Sequence, residues 1–390
     1  MTSNTGHPVS RRAFLSGALA ASALPAWAQA LPTNPDVVVI GAGSAGLAAA
    51  RTLIADGKSV IVIEGADRIG GRAYTESNTF GIPFDHGCSW VMGPSNLPYV
   101  KMARDWNFNL LSHGSAGGAL YVGDRRATRD EQQEYDTAWT KVESAVNKAG
   151  REGLDVAAST VIPKDEDFSG VSQTWMGAMD WAVDFDDLST MDVWKYGDTE
   201  SAQAESNYMI KEGYGTLVAR MGAGLPVQLN TPANRVDWSG DGVSVETQAG
   251  TIRAKACIVT VSTGVLGAGS IRFTPELPDW KQMAIGNLPM GLLAKVTLQF
   301  DNERFGLVPN QWLTYWVPNQ MPAEACYFLT FPFGYNIMIG FIGGAFGWQL
   351  SAEGTDAAVD FALGEVVKMF GSKARDHFVK GHLTGWAENP

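Results

Sequence analysis

Two uninterrupted apolar runs, Val37-Val38-Val39-Ile40 and Val60-Ile61-Val62-Ile63, bracket a stretch of small and apolar residues from Leu47 to Ala55. Runs of this kind suit strands buried on both faces, so the segment reads as strand, helix, strand. Asn96 to Leu111 begins helical. Tyr135, Trp139, Val142 and Val146 recur at helical spacing and predict an amphipathic helix over Asp130 to Ala149, its aromatic stripe read as core. Asp155 to Ser172 is acidic and broken by Pro163, hence loop with short turns, and Trp175 to Trp194 reads as helical. A helix opening at Gly213-Tyr214-Gly215 gives way to short strands at Val227–Asn230, Val243–Thr247, Gly250–Arg253 and Ala256–Val261. From Leu293 the period falls to two: Ala294, Val296, Leu298 and Phe300 share one face, Lys295, Thr297 and Gln299 the other. Alternation alone puts Lys295 on a solvated strand face. The aromatic stretch Trp312 to Trp348 reads as sheet core with some rings walling a pocket. Thr355 to Phe370 carries Val359, Leu363, Val366 and Phe370 at helical spacing.

The first strand passes directly into Gly41-Ala42-Gly43-Ser44-Ala45-Gly46. Gly41 permits the turn, Gly43 lets backbone approach a pyrophosphate, and Gly46 lets the helix pack close to the strand. The helix start beginning at Ser44 offers free N–H groups to the diphosphate. Glu64, ending the second strand, falls near the spacing for an acid that accepts from an unphosphorylated adenosine ribose. The turn by itself fits NAD or FAD.

The residues after Glu64 choose between them. Arg68-Ile69-Gly70-Gly71-Arg72 and then Asp85-His86-Gly87-Cys88-Ser89-Trp90, an R-x-G-G-R run and a D-x-G-x-x-W run, closely resemble the flavin-containing amine oxidase family. The resemblance implies FAD as cofactor, with Gly71 and Arg72 at its phosphates and Ser89 and Trp90 at the flavin end. A guanidinium offers a fork to phosphate. It places the Gly213-Tyr214-Gly215 helix and its strands back in the cofactor domain, with Ala233 against the adenine, although Pro232 beside it departs from the family pattern. It also makes Lys295 the catalytic residue, holding a water against the flavin N5, a role that suits a lysine whose pKa falls on burial. Gly385-Trp386-Ala387-Glu388-Asn389-Pro390 resembles the family's W-x-x-D/N-P run, which puts Trp386 at the cofactor. Family members continue into an F-A-G-E segment that closes over the flavin. The expectation is that these residues lack it, bind FAD poorly and turn over little.

The expected architecture is α/β and α+β, a discontinuous Rossmann-like FAD-binding domain with a second substrate domain of mixed sheet and helices. The division runs 31–111 and 213–269 for FAD binding, 112–212 and 270–390 for substrate. A length of 390 residues suits two domains. The net charge of −12 argues against nucleic acid. Cys88, Cys257 and Cys326 are too few and scattered for a disulfide framework or metal site and read as small buried residues. No metal is expected.

Ser10-Arg11-Arg12-Ala13-Phe14-Leu15, an apolar alanine-rich run and an A-x-A site near Ala28 resemble a twin-arginine signal peptide over residues 1–30. Export to the periplasm is expected, with no stable membrane anchor after cleavage. The expected reaction is oxidation of a small-molecule amine to an imine, with O2 or another electron acceptor. Alternatives are an L-amino acid oxidase, which needs a cation such as Arg104, Arg125 or Arg126 facing a carboxylate, and a flavin-binding protein of little activity.

Overall fold

The computed structural model describes residues 34–93, 96–113, 117–164, 167–197 and 207–389. The export segment expected over residues 1–30 lies outside these. Among the described residues a parallel sheet has the order Val227–Gln228, Val60–Ile63, Val37–Ile40, Ala256–Val259. Both apolar runs are buried along their whole length, which is why they alternate so little. The helix Ser44–Ala55 connects the two central strands and packs Leu47 and Ala50 against them. The sheet is therefore assembled from two stretches of chain far apart in sequence.

A second sheet, ordered Gly250–Ala254, Val243–Thr247, Ala233–Asp237, Arg272–Thr274, covers the opposite face through Val236, Val245 and Ile271. The largest sheet is built around Leu293–Phe300, which pairs with Ile337–Gly343 on one side and Phe378–Leu383 on the other. Tyr327–Thr330, Gln311–Tyr315, Gly118–Val122 and Arg125–Arg126 continue it beyond Ile337–Gly343. The helix Thr355–Phe370 closes one face with Ala358, Leu363 and Val366. The result is the mixed α/β and α+β architecture expected, with a Rossmann-like parallel sheet at its cofactor side.

Two further elements position the site. The helix Arg129–Arg151 starts at a capping box in which Thr128 and Glu131 satisfy each other's backbone N–H groups. A π-helical turn, Thr174–Met179, comes directly after a short α-helix, Ser169–Gln173. Gly343 holds that turn against the large sheet, since a Cβ there would lie 1.9 Å from the Ala178 carbonyl oxygen.

Candidate active site

The chain leaves the first parallel strand at Gly41, whose φ of +105° is a glycine conformation. Thr260, at the end of the neighbouring strand, backs the turn by donating to the carbonyls of Ile40 at 2.8 Å and Gly41 at 3.2 Å. A Cβ on Gly46 would fall 1.9 Å from the Gly41 oxygen, so only glycine lets the helix begin so near the turn. Gly43 is different. A Cβ there would meet nothing closer than the Gly71 Cα at 3.9 Å, so this edge stands open between the two glycine segments. Gly70 donates its N–H to the Ala42 carbonyl at 2.9 Å and bridges to Gly43, which seats the R-x-G-G-R run beside the first turn.

The helix Ser44–Ala55 begins with no side-chain cap and no acid in its first turn, the state that a bound anion completes. The Ser44 hydroxyl is shared with the Tyr99 hydroxyl, so Ser44 offers the cofactor its backbone N–H. Glu64 takes N–H bonds from Ala42 at 2.7 Å and Ala66 at 2.9 Å. It thus fixes the glycine turn and keeps lone pairs for a ribose. The Glu64 carbonyl accepts from Thr231 N–H at 2.7 Å, and Pro232 packs over Gly65. The buried Ala233 is thereby carried to this end of the cleft. Arg72 is exposed, and among the described residues its guanidinium has no hydrogen-bond or ion-pair partner. An uncapped helix start, an open glycine edge, a fixed carboxylate and an unpaired guanidinium fit an adenine dinucleotide.

Lys295 overturns the periodicity. Its strand is buried on both faces, and Lys295 is only 4% exposed. The Nζ donates to the carbonyls of Asp85 at 2.7 Å and Gly87 at 2.6 Å, and to Ser89 Oγ at 2.6 Å. Burial pulls its pKa down to about 8, opposed by the charges of Asp85 and Cys88. In the neutral amine one N–H becomes a lone pair, and only Ser89, which can donate as well as accept, fits both states. Asp85 spends its carboxylate elsewhere. It accepts from Thr75 and from the N–H groups of Tyr214 at 3.1 Å and Gly215 at 3.3 Å, capping the helix Tyr214–Met221. Burial pushes the Asp85 carboxyl up, against the pull of Lys295. Trp386 donates to the His86 carbonyl at 2.7 Å and lies edge-on to Gly87, while Thr384 takes the Lys295 backbone N–H at 2.9 Å.

Phe341 is the cross-strand partner of Lys295, with its ring centre 6.0 Å from Nζ. It borders a cavity of about 920 Å³. Trp90 and Trp312 stack there at 5.7 Å, and Trp175 stands edge-on to Trp312 at 5.0 Å. Trp90 also donates to His113 Nδ1 at 3.2 Å. Trp139, read from sequence as core, lines this cavity instead; Tyr135 lines it while also packing on the main core, and Val142 and Val146 of the same stripe are buried. One stripe therefore serves both cavity wall and core. Cys88 also departs from its reading as a buried residue. It is exposed, and Cys257 is half-buried, leaving Cys326 alone fully enclosed.

A match to the model of the flavin containing amine oxidoreductase family covers residues 44–390. The chain belongs to that family. This flavin-dependent amine oxidoreductase is 28% identical to polyamine oxidase 4 of Oryza sativa subsp. japonica, over 94% of this chain and 79% of that one. It is 30% identical to polyamine oxidase 2 of Arabidopsis thaliana, over 69% of this chain and 59% of that one. The cyclohexylamine oxidase of Brevibacterium oxydans shares the fold, with a TM-score of 0.73, 22% identity and coverage of 91% and 85% of the two chains.

Within this amine oxidoreductase, the residues singled out from sequence form two connected groups. Gly41, Gly43, Gly46, Glu64 and Gly71 meet at the glycine cradle, with Arg72 next in the chain. Ser89, Trp90, Lys295 and Trp386 meet around the Asp85–Gly87 backbone. Two braces of the site and one residue of the cavity wall went unread. Thr260 and Asp85 act as hydrogen-bonding braces that leave no periodic trace, though Asp85 is the acid of the D-x-G-x-x-W run. Asp180 sits after a π-helical turn that no helical spacing reveals. The three arginines weighed for a carboxylate do not line the cavity. Arg125 pairs with Glu131, Arg126 donates to the Gly306 carbonyl, and Arg104 lies over the Tyr208 ring.

Proposed function

We propose that the protein oxidises an aliphatic amine carrying no carboxylate beside the reacting carbon. The carrying observation is the cavity lining: Trp90, Trp175, Trp312 and Phe341 form its wall beside Lys295, and no lysine or arginine lines it among the described residues. Aromatic faces suit a hydrocarbon chain and an ammonium group. They offer nothing to a carboxylate, which tells against an amino acid oxidase.

Bound FAD supplies the two-electron acceptor for hydride from the carbon beside a neutral amine. Loss of that hydride and of an N–H proton leaves an imine, which water converts to a carbonyl compound and an amine or ammonia. O2 is the expected final acceptor, giving hydrogen peroxide. Gly43, Ser44, Glu64 and Arg72 would hold the dinucleotide. Lys295, poised between charged and neutral forms beside Ser89, would hold or relay a proton at the flavin end. Measuring peroxide formation and oxygen uptake over a panel of amines and amino acids tests the reading. Turnover confined to amino acids overturns it.

Export and domain division belong to the same proposal. Residues 1–30 direct export of the folded, FAD-loaded protein to the periplasm, testable by fractionating cells that carry Arg11→Lys together with Arg12→Lys. No helix among the described residues is long and apolar enough to cross a membrane. The cofactor and substrate domains divide near residues 111, 212 and 269.

A further inference from the structure

Among the described residues one carboxylate lines the large cavity, and the oxidation chemistry makes no use of it. Asp180 comes after the π-helical turn, its N–H reaching back five residues to the Trp175 carbonyl at 3.0 Å. This wider turn sets Trp175 and Asp180 on the cavity together. Trp175 stands with Trp312 near Lys295, whereas Asp180 lies among Trp139, Trp181 and Tyr196 at the other part of the lining. Its side chain is exposed on the cavity wall, and the protein around it pushes its pKa up to about 6. Among the described residues no hydrogen bond or ion pair compensates it.

Asp180 also marks a junction. A second cavity, of about 490 Å³, shares Trp139, Asp180, Trp181 and Tyr196 with the first and adds Glu143. A chain entering from the Lys295 end would pass the carboxylate with room beyond it. Aromatic faces around a carboxylate form a site for an alkylammonium cation.

We propose that Asp180 binds a second ammonium group on the substrate, so that the protein selects diamines or longer polyamines over monoamines. This rests on the amine-oxidising reading and names the substrate class within it. The names of the relatives, polyamine oxidases on one side and a cyclohexylamine oxidase on the other, leave that choice open.

The test compares α,ω-diamines with monoamines of the same carbon count on wild type and Asp180→Asn. Wild type is expected to show an optimum diamine length with kcat/KM at least about tenfold above the matched monoamine. Asp180→Asn should erase that preference through KM, with kcat for the monoamine within about twofold. Asp180→Glu should retain the preference and move the optimum to a shorter chain. Calorimetric titration with the same amines reads the preference without turnover, and unchanged flavin absorbance and melting temperature certify the fold. Equal losses for both series, or an undiminished diamine preference in Asp180→Asn, overturn this proposal alone. If wild type oxidises neither series, the amine-oxidising reading falls and takes this one with it.

Discussion

The Lys295 ammonium donates to the Asp85 backbone carbonyl at 2.7 Å, and the Asp85 side chain, turned away to cap the helix Tyr214–Met221, holds the lysine charge in place from behind. One aspartate therefore ties the strand Leu293–Phe300 to the helix that begins after Gly213. Its negative charge is the largest influence opposing the effect of burial on Lys295.

Asp85→Asn should consequently lower the Lys295 pKa below its value of about 8. A pH profile of flavin reduction would move to lower pH. The amide presents one acceptor where the carboxylate presents two, so a helix N–H loses its partner at a cost of about 1–3 kcal/mol. An unmoved profile separates the two residues.

Lys295→Met should leave flavin bound and slow flavin reduction or reoxidation by about 10²-fold, the lower range for a positioned proton-transfer group. Stability gives an independent check. Native Lys295 releases its proton near 8 while the unfolded chain keeps one to about 10.5. The unfolded state binds more protons in that window, so wild-type stability rises with pH across it. In Lys295→Met this contribution should vanish, as denaturant melts at several pH values would show.

The two glycines of the cradle should respond differently. Gly46→Ala drives a Cβ to 1.9 Å from a backbone oxygen and should cost about 3 kcal/mol or more of stability. Gly43→Ala meets only the Gly71 Cα at 3.9 Å, so the fold should melt unchanged while flavin content collapses. Equal flavin content in Gly43→Ala and wild type would move the diphosphate elsewhere.

The contrast between Gly43 and Lys295 shows what the sequence could convey. The cradle is local: strand, turn, helix and acid lie within one short stretch, and each glycine has a steric reason visible from spacing. Lys295 obeys the same alternation as any half-exposed strand. Its burial depends on the Asp85–Ser89 segment arriving from 210 to 206 residues away, which only the family resemblance signalled. The strand Phe378–Leu383, which flanks Lys295, reads F-V-K-G-H-L, a pattern too irregular to announce itself. The long helix was legible to within two residues at each end. The use of Tyr135 and Trp139 was not, because a cavity wall and a core carry the same aromatic stripe.

Asp180 should make the diamine preference pH-dependent. Its pKa is raised to about 6, so the anion prevails above that value and is lost as pH falls through it. Among the described residues Tyr135 and Glu143 on the long helix, Tyr196 on the helix Thr190–Gly197 and His113, whose pKa burial lowers, are the other titratable groups lining the same cavities. Tyr135 stays neutral throughout, burial pushing its pKa up. The ratio of kcat/KM for diamine to monoamine should therefore fall toward one below about pH 6 in wild type and stay flat in Asp180→Asn.

Anaerobic single-turnover mixing of the flavin-loaded protein provides the most direct trial of the amine-oxidising site. The protein is mixed in turn with an unbranched amine and with the 2-amino acid of the same carbon count. The account predicts that the amine bleaches the flavin and the amino acid leaves it yellow. Bleaching by the amino acid with none by the amine would contradict it.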